Sequence, residues 1–109
     1  MWIFTVTGFI SAVYRENAIQ VRARDRKSLE DLSTDCKSKI IHTPLADYPY
    51  RLEIDKTSLS AWLTKQTELL EYGNFKSEVE DIRGMEFAAP LHKVWDVMHE
   101  VEDLEARVR

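Results

Sequence analysis

The sequence predicts an α+β fold, a mostly antiparallel sheet of about four strands with two to three helices packed on one face. Two observations lead to this class. Alternating segments rich in β-branched and aromatic residues dominate the first half, and helix-type apolar periodicity dominates the second. The 109 residues, 44% of them hydrophobic, fit a single α+β domain over residues 1–109. A ferredoxin-like variant is consistent with this order of elements.

Four strands are predicted from side-chain alternation. "WIFTVT" forms the first and "FISAVYR" the second, with Gly8 between them as a turn, a bulge or a bend in one long strand. Asn17 tolerates a turn into the third strand, "AIQVRAR". There the apolar residues share one face and Arg22 and Arg24 share the other, because strand side chains alternate. In the fourth strand, "YRLEI", Arg51 again lies opposite the apolar residues.

Helices are predicted where apolar residues recur at helical spacing. Asp25 is a suitable N-cap for "RKSLEDLSTDCK", and Asp55 or Thr57 for "SLSAWLTKQTELLEY". Asn74 caps a short helix, "RGMEFAAP" is predicted to be a loop, and Pro90 suits the first turn of a last helix. One core is expected to contain Val21, Leu52, Trp62, Leu63, Trp95 and Met98.

The charge of the chain is unevenly distributed. Residues 1–54 carry eight Lys/Arg and seven Asp/Glu, whereas residues 55–109 carry seven and twelve. Nucleic-acid affinity depends on the number of neutralised phosphates, so an anionic ligand needs a local basic patch in the first half. The acidic second half is typical of a solvated helical surface.

Composition also bears on location. The longest apolar runs are far shorter than the roughly 20 residues of a membrane span. The first residues lack the pattern of a secretory leader. The single cysteine, Cys36, cannot form an internal disulfide. We therefore expect a soluble cytoplasmic protein with no membrane partner.

Four segments carry a resemblance to known sequences. "MWIFTVTGFISAVYRE", "VRARDR", "TPLADYPYR" and "YGNFK" are similar, in that order, to segments of a group of small bacterial proteins of about this length. The "DYPYR" and "NFK" pieces are the most specific parts. No reaction or ligand is established for this group, so the resemblance implies no activity and supplies no catalytic residues.

The candidate ligand site is the arginine-bearing face of the sheet. Guanidinium groups bind phosphate or carboxylate bidentately, tyrosines stack bases, and Asp47 can accept from a base edge. The candidate binding residues are Arg22, Arg24, Asp47, Tyr48, Tyr50, Arg51 and Lys76. The alternative is an ordinary exposed face whose arginines pair with Glu53 and neighbouring acids.

Two prolines stiffen the segment that leads to this face. Pro44 and Pro49 restrict their own φ angles and bias Thr43 and Tyr48 toward extended conformations. Stiffness of this kind lowers the entropy lost on folding or on binding. The same segment delivers Arg51 to the face that carries the other arginines.

Catalysis and metal binding find little support. His92, Asp96, His99 and Asp103 follow one face of the last helix, but the two histidines lie two turns apart, about 10 Å along the axis, which suits no single metal ion. Cys36 has no sequence-evident histidine partner. The chain has no glycine-rich phosphate loop. We predict no catalytic residues, no metal and no cofactor.

Two functional hypotheses from different classes follow. The first is a non-catalytic binding module that takes an anionic small molecule, a nucleotide or a short single strand on its Arg/Tyr face. The second is a protein-interaction protein that acts through its acidic helical surface. It would be a homodimer or an inhibitor of a larger complex, by analogy with phage-type inhibitors of bacterial defence complexes.

Overall fold

A computed structural model describes residues 1–108 and confirms the α+β fold class. The chain divides into two compact units, residues 1–71 and residues 72–109, and each is described by itself. The single domain over residues 1–109 stays a prediction. None of the helices within residues 1–108 combines the length and apolar character that a membrane span requires.

Within residues 1–71, all of which are described, the chain forms five strands and two helices. These are β1 (Trp2–Thr5), β2 (Gly8–Arg15), β3 (Ala18–Ala23), α1 (Lys27–Cys36), β4 (Ile41–His42), β5 (Tyr50–Ile54) and α2 (Lys56–Glu68). The strand order is β1-β2-β3-β5-β4, and all neighbours are antiparallel. The first three strands form a meander, whereas a ferredoxin-like fold alternates as β-α-β-β-α-β.

Short turns join the strands of this meander. Residues 6 and 7 connect β1 to β2, so Gly8 is the first residue of β2 and follows a tight turn. Glu16 and Asn17 connect β2 to β3 with φ angles of 51° and 64°. Two successive residues in the left-handed region are typical of a type I′ hairpin, and the predicted turn at Asn17 is confirmed.

The core of this unit lies between one face of the sheet and the helices α1 and α2. Trp62 of α2 is buried, and its Nε1 donates to Oδ2 of Asp31 on α1 at 2.9 Å. The two helices are therefore joined by a hydrogen bond as well as by apolar packing. The core residues are Ile10, Ala12, Ile19, Val21, Ala23, Leu29, Leu32, Ile40, Leu52, Ile54, Leu59 and Trp62.

The predicted helix caps are confirmed for α2 and shifted for α1. Asp55 accepts a hydrogen bond from the backbone N–H three residues later, at 2.7 Å. Arg26, and not Asp25, occupies the N-cap position of α1. The Asp25 carboxylate accepts from the Ser28 hydroxyl, whose oxygen accepts from the backbone N–H of Phe9 at 3.2 Å. Ser28 thus ties α1 to β2.

Residues 72–108 form the helices α3 (Phe75–Arg83), α4 (Met85–Met98) and α5 (Glu100–Val108). Asn74 caps α3 as predicted, by accepting from the backbone N–H of Ser77 at 2.9 Å. The loop predicted over "RGMEFAAP" is wrong, because α4 begins at Met85, directly after Gly84. Pro90 therefore lies inside α4 instead of in its first turn, and because its nitrogen carries no hydrogen it cannot donate a helical backbone hydrogen bond.

The expected core is confirmed in part. Four of its expected members lie in the core of residues 1–71 or pack against it: Val21, Leu52, Trp62 and the partly buried Leu63. Trp95 and Met98 are 61% and 58% exposed, so their placement in that core is wrong. Helical periodicity identifies an apolar stripe, but it does not identify what covers the stripe.

We expect Leu52→Ala to lower the free energy of unfolding by about 2–5 kcal/mol, because it leaves a cavity at a fully buried position. Leu45→Ala is the matched control, since Leu45 is fully exposed and its truncation should cost less than about 0.5 kcal/mol. Leu63→Ala should fall between them. Urea unfolding followed by circular dichroism measures all three. Equal losses at residues 52 and 45 would show that the face assigned to β5 is wrong.

Candidate functional site

The sheet face opposite α1 and α2 carries aromatic side chains toward one edge and arginines toward the other. Alternation along each strand and the antiparallel register bring these residues to the same side. We call this surface the open face. It carries Trp2 and Phe4 of β1, Phe9, Ser11 and Val13 of β2, Gln20 and Arg22 of β3, Arg51 and Glu53 of β5 and Ile41 of β4, and Tyr48 and Arg24 lie against Arg22 beside it. In this register Arg22 pairs directly with Arg51.

Tyr48 supports two of the arginines. The centre of its ring lies 4.5 Å from Cζ of Arg22 and 4.2 Å from Cζ of Arg24, within the range of cation–π attraction. Tyr48 is only 5% exposed. The ring proposed from the sequence for base stacking is therefore already in contact with two cations and holds them in position.

The backbone at Tyr48 departs from the sequence-based expectation. Its φ angle is 53°, in the left-handed region, so the prediction that Pro49 holds Tyr48 extended is wrong. Hydrogen bonds from Arg51 and within the loop hold the backbone in this conformation. Arg51 donates from Nη2 to the carbonyl of Asp47 at 2.8 Å and from Nε to the carbonyl of Tyr48 at 3.2 Å. The N–H of Thr43 donates to the carbonyl of Pro49 at 2.8 Å and closes the loop.

Asp47 forms an ion pair with Arg24. Nη1 of Arg24 donates to Oδ1 of Asp47 at 2.9 Å, and both side chains are largely exposed. The hydrogen bond from Arg24 is the main cause that lowers the pKa of Asp47, and the same bond raises the pKa of Arg24. Asp47 is therefore an anion that competes with any other anion for Arg24. To accept from a base edge, it would have to leave this arginine.

The three arginines retain hydrogen-bonding capacity. A guanidinium group has five N–H donors. Arg22 donates from Nη2 to Oγ of the buried Ser11 at 2.9 Å, while its Nε is shielded from solvent and makes no hydrogen bond within the described residues. Arg24 and Arg51 use one and two of their nitrogens in the bonds given above. Unused N–H groups remain on each side chain, and those of Arg24, whose side chain is 60% exposed, are open to a phosphate or carboxylate.

An aromatic row runs from β1 to the arginines. Phe9 contacts Phe4 in a stacked geometry at 4.6 Å, Trp2 edge-on at 5.8 Å and Tyr48 at 6.4 Å between ring centres. Trp2 is 70% exposed and Phe4 is 37% exposed. None of Trp2, Phe4 and Phe9 was among the candidate binding residues predicted from the sequence. The alternation of "WIFT" predicts a strand, but which face of the sheet its side chains occupy depends on the pairing of β1 with β2.

Two predicted members lie away from this cluster or in the other unit. Tyr50 lies on the helix-bearing face of β5, packs against the core and stacks on His42 at 4.4 Å between ring centres. The structure does not bring it to the open face. Lys76 belongs to α3 in the unit of residues 72–109, where its Nζ lies 3.6 Å from Oε1 of Glu80. That Lys76 binds the ligand stays a prediction.

Within residues 1–108, no group of three or more His, Cys, Asp or Glu side chains is placed to hold a metal ion. His92 lies 3.7 Å from the aspartate four residues later, and His99 pairs with Glu102 at 3.3 Å and not with Asp103. The four residues that the sequence placed on one face of a single last helix are also divided between α4 and α5. Burial raises the pKa of the Cys36 thiol, which disfavours the reactive thiolate.

Comparison of the chain with protein-family models, with curated proteins and with solved structures gives no significant match. The resemblance to a group of small bacterial proteins therefore stays a prediction.

We expect Arg24→Gln to raise the pKa of Asp47 toward the ordinary value of about 3.9, because Arg24 is the main cause of its lowering. Carboxyl NMR titration measures this pKa in both proteins. A lowered carboxyl pKa stabilises the fold above the ordinary value, and this contribution is lost as the pH falls through the lowered value. Arg26→Gln is the control, since Arg26 lies near Glu30 instead. An unchanged pKa in Arg24→Gln would contradict the ion pair.

Proposed function

We propose that this chain is a non-catalytic binding module whose open face takes an anionic, nucleotide-like ligand. The observation that carries the proposal is the gathering of Arg22, Arg24 and Arg51 around Tyr48, beside exposed aromatic rings. Guanidinium groups bind phosphate through paired N–H donors, and aromatic rings bind bases through their π faces. Both parts of a nucleotide therefore meet a suitable partner on one surface.

The charge distribution supports this surface. Residues 1–71 contain ten Lys/Arg and ten Asp/Glu, whereas residues 72–109 contain five and nine. The unit that carries the open face is therefore neutral overall and concentrates three arginines in one place. Attraction of an anion would be local and would weaken with added salt. A cytoplasmic location is part of the proposal and agrees with the single free cysteine.

The contacts of the arginines favour binding because they reduce the freedom that a ligand would have to remove. Arg51 is fixed by two backbone carbonyls, and Arg22 and Arg24 rest on the buried ring of Tyr48. Groups held in place before binding lose less entropy when the ligand arrives.

We expect Arg24→Ala to weaken nucleotide binding by about 1.5–3 kcal/mol, the usual range for a hydrogen bond to a charged group. Arg51→Ala should have a similar effect, and its melting temperature must be compared with that of the wild type because Arg51 also holds the loop. Titration calorimetry at low salt against nucleotides and short oligonucleotides measures both. Arg26→Ala, an exposed arginine outside the open face, is the control.

Asp47→Asn should strengthen nucleotide binding, in contrast to the arginine variants. It removes the anion that competes for Arg24, so nucleotide affinity should rise a few-fold while phosphate-free nucleosides are unaffected. If no phosphate-bearing ligand gives a binding signal at low salt in either the wild type or Asp47→Asn, the proposed function is wrong.

A second candidate function, protein association, is favoured by an apolar surface on α4 and α5. We call it the helix stripe, and its residues are Val94, Trp95, Val97, Met98, Val101 and Leu104. Each of these side chains is between 40% and 61% exposed. Contiguous apolar patches of more than a few hundred Å² are uncommon on monomers and mark association sites.

We propose a second copy of the chain as the occupant of the helix stripe. Leu91, Val94, Met98 and Val101 alternate at spacings of three and four residues, the pattern of paired helices. A standard interface removes about 800 Å² from each partner, and one aromatic side chain supplies about 150–250 Å² of contact. The sequence of α5, "EVEDLEARV", is acidic. Antiparallel pairing would place it beside α4 of the partner and separate the like charges.

We expect sedimentation equilibrium to show a dimer that Met98→Glu weakens at least about tenfold, because it buries a charge in the apolar contact. Ala89→Glu, at an exposed position of α4 outside the helix stripe, is the matched control and should leave the dimer intact. Circular dichroism checks that both variants keep their helices. A wild-type protein that stays monomeric at every accessible concentration would contradict this second function.

A further inference from the structure

We infer that the ligand of the open face is a single-stranded nucleic acid of several nucleotides, and not a mononucleotide or a simple anion. This inference rests on the proposed function and specifies its ligand class. Three features of the open face carry it: the line of residues across the sheet, the exposed rings at one end and the arginines at the other.

The strand register places Trp2, Ser11, Arg22 and Arg51 in one line across β1, β2, β3 and β5. Neighbouring strands lie about 4.8 Å apart, so the line is about 14 Å long. Stacked bases advance about 3.4 Å along a strand, so this length matches about four nucleotides. A single nucleotide covers only part of this line, whereas a short single strand can contact the rings of β1 and the arginines of β3 and β5 together.

The aromatic end of the line suits bases. Phe9 lies against both Phe4 and Trp2 and limits their movement, while Trp2 and Phe4 keep much of their surface exposed. Base–aromatic stacking tolerates any base, because every base has a π face. An inorganic anion or an acidic peptide has no group that would use these rings in the same way.

The arginine end of the line suits the sugar–phosphate backbone. Arg24 is exposed over Tyr48, and Arg51 lies beside Arg22 in the register. A phosphate that reaches Arg24 replaces the carboxylate of Asp47 as its partner. Binding therefore exchanges one ion pair for another at this position, and the stacked bases add affinity that a free phosphate lacks.

Fluorescence anisotropy with labelled oligo(dT) and oligo(U) of one, two, four and eight nucleotides tests this inference at low salt. Affinity should rise by about fivefold or more per added nucleotide up to about four, and then level off. Comparison of oligo(U) with oligo(dU), which differ only in the 2′-hydroxyl, would tell whether that group is recognised, and a preference for either supports a single strand. An oligoglutamate peptide should bind much more weakly than the tetranucleotide.

Variants at the aromatic end distinguish the contribution of base stacking to affinity from that of the arginine charges. Trp2→Ala and Phe4→Ala should each weaken tetranucleotide binding by about fivefold to a hundredfold, while the binding of inorganic phosphate stays unchanged. Trp2→Phe should restore most of the loss, which distinguishes a lost stacking surface from a disturbed fold. Tyr14→Ala is the matched control, because Tyr14 is an exposed aromatic residue on the other face of β2.

Three results would overturn the inference and leave the proposed function standing. They are equal affinity for one and eight nucleotides, losses in Trp2→Ala and Phe4→Ala no larger than in Tyr14→Ala, and oligoglutamate binding as tight as that of the tetranucleotide. Each would indicate that the arginines, and not stacking of several bases along the sheet, determine binding. A protein that binds neither nucleotides nor oligonucleotides at low salt would remove the proposed function as well.

Discussion

The two-residue period of β3 governs this structure, because β3 is the central strand of the sheet. Val21 is fully buried between the neighbouring strands and the helices, and the next residue, Arg22, takes the opposite face. A shift of one residue in register would place a guanidinium group in the core and expose the valine. The packing that stabilises the sheet therefore also fixes the position of the arginines, so core and candidate site are set by one constraint.

The loop before β5 joins this arrangement through Tyr48. A non-glycine residue in the left-handed region costs about 1–3 kcal/mol, and the loop keeps this conformation because contacts from β3 and β5 support it. Cation–π contacts with Arg22 and Arg24, and the bonds from Arg51 to backbone carbonyls, offset a cost of this size. Local strain and preorganised cations thus occur together, as is common at binding sites.

Much of the fold could be predicted because strand alternation and capping residues are local signals. The alternation of β3 and β5 and the cap at Asp55 depend only on neighbours in the sequence. The backbone of Tyr48 could not be predicted, since distant contacts overrode the effect of the following proline. The position of Trp2 on the open face could not be predicted either, because it depends on the register with β2. Likewise, helical periodicity places Trp95 in a stripe but cannot determine its exposure.

The connection between β3 and β5 has a kinetic consequence. Two-residue turns join β1, β2 and β3, whereas β3 meets β5 only after the chain has passed through α1 and β4. Closing the longer loop costs more entropy, so we expect the meander to form first and β5 to dock later. Tyr48 and Arg51 would then reach Arg22 and Arg24 in a late folding step. A ligand of this cluster would recognise only chains that have completed folding, and its binding would draw the folding equilibrium toward them.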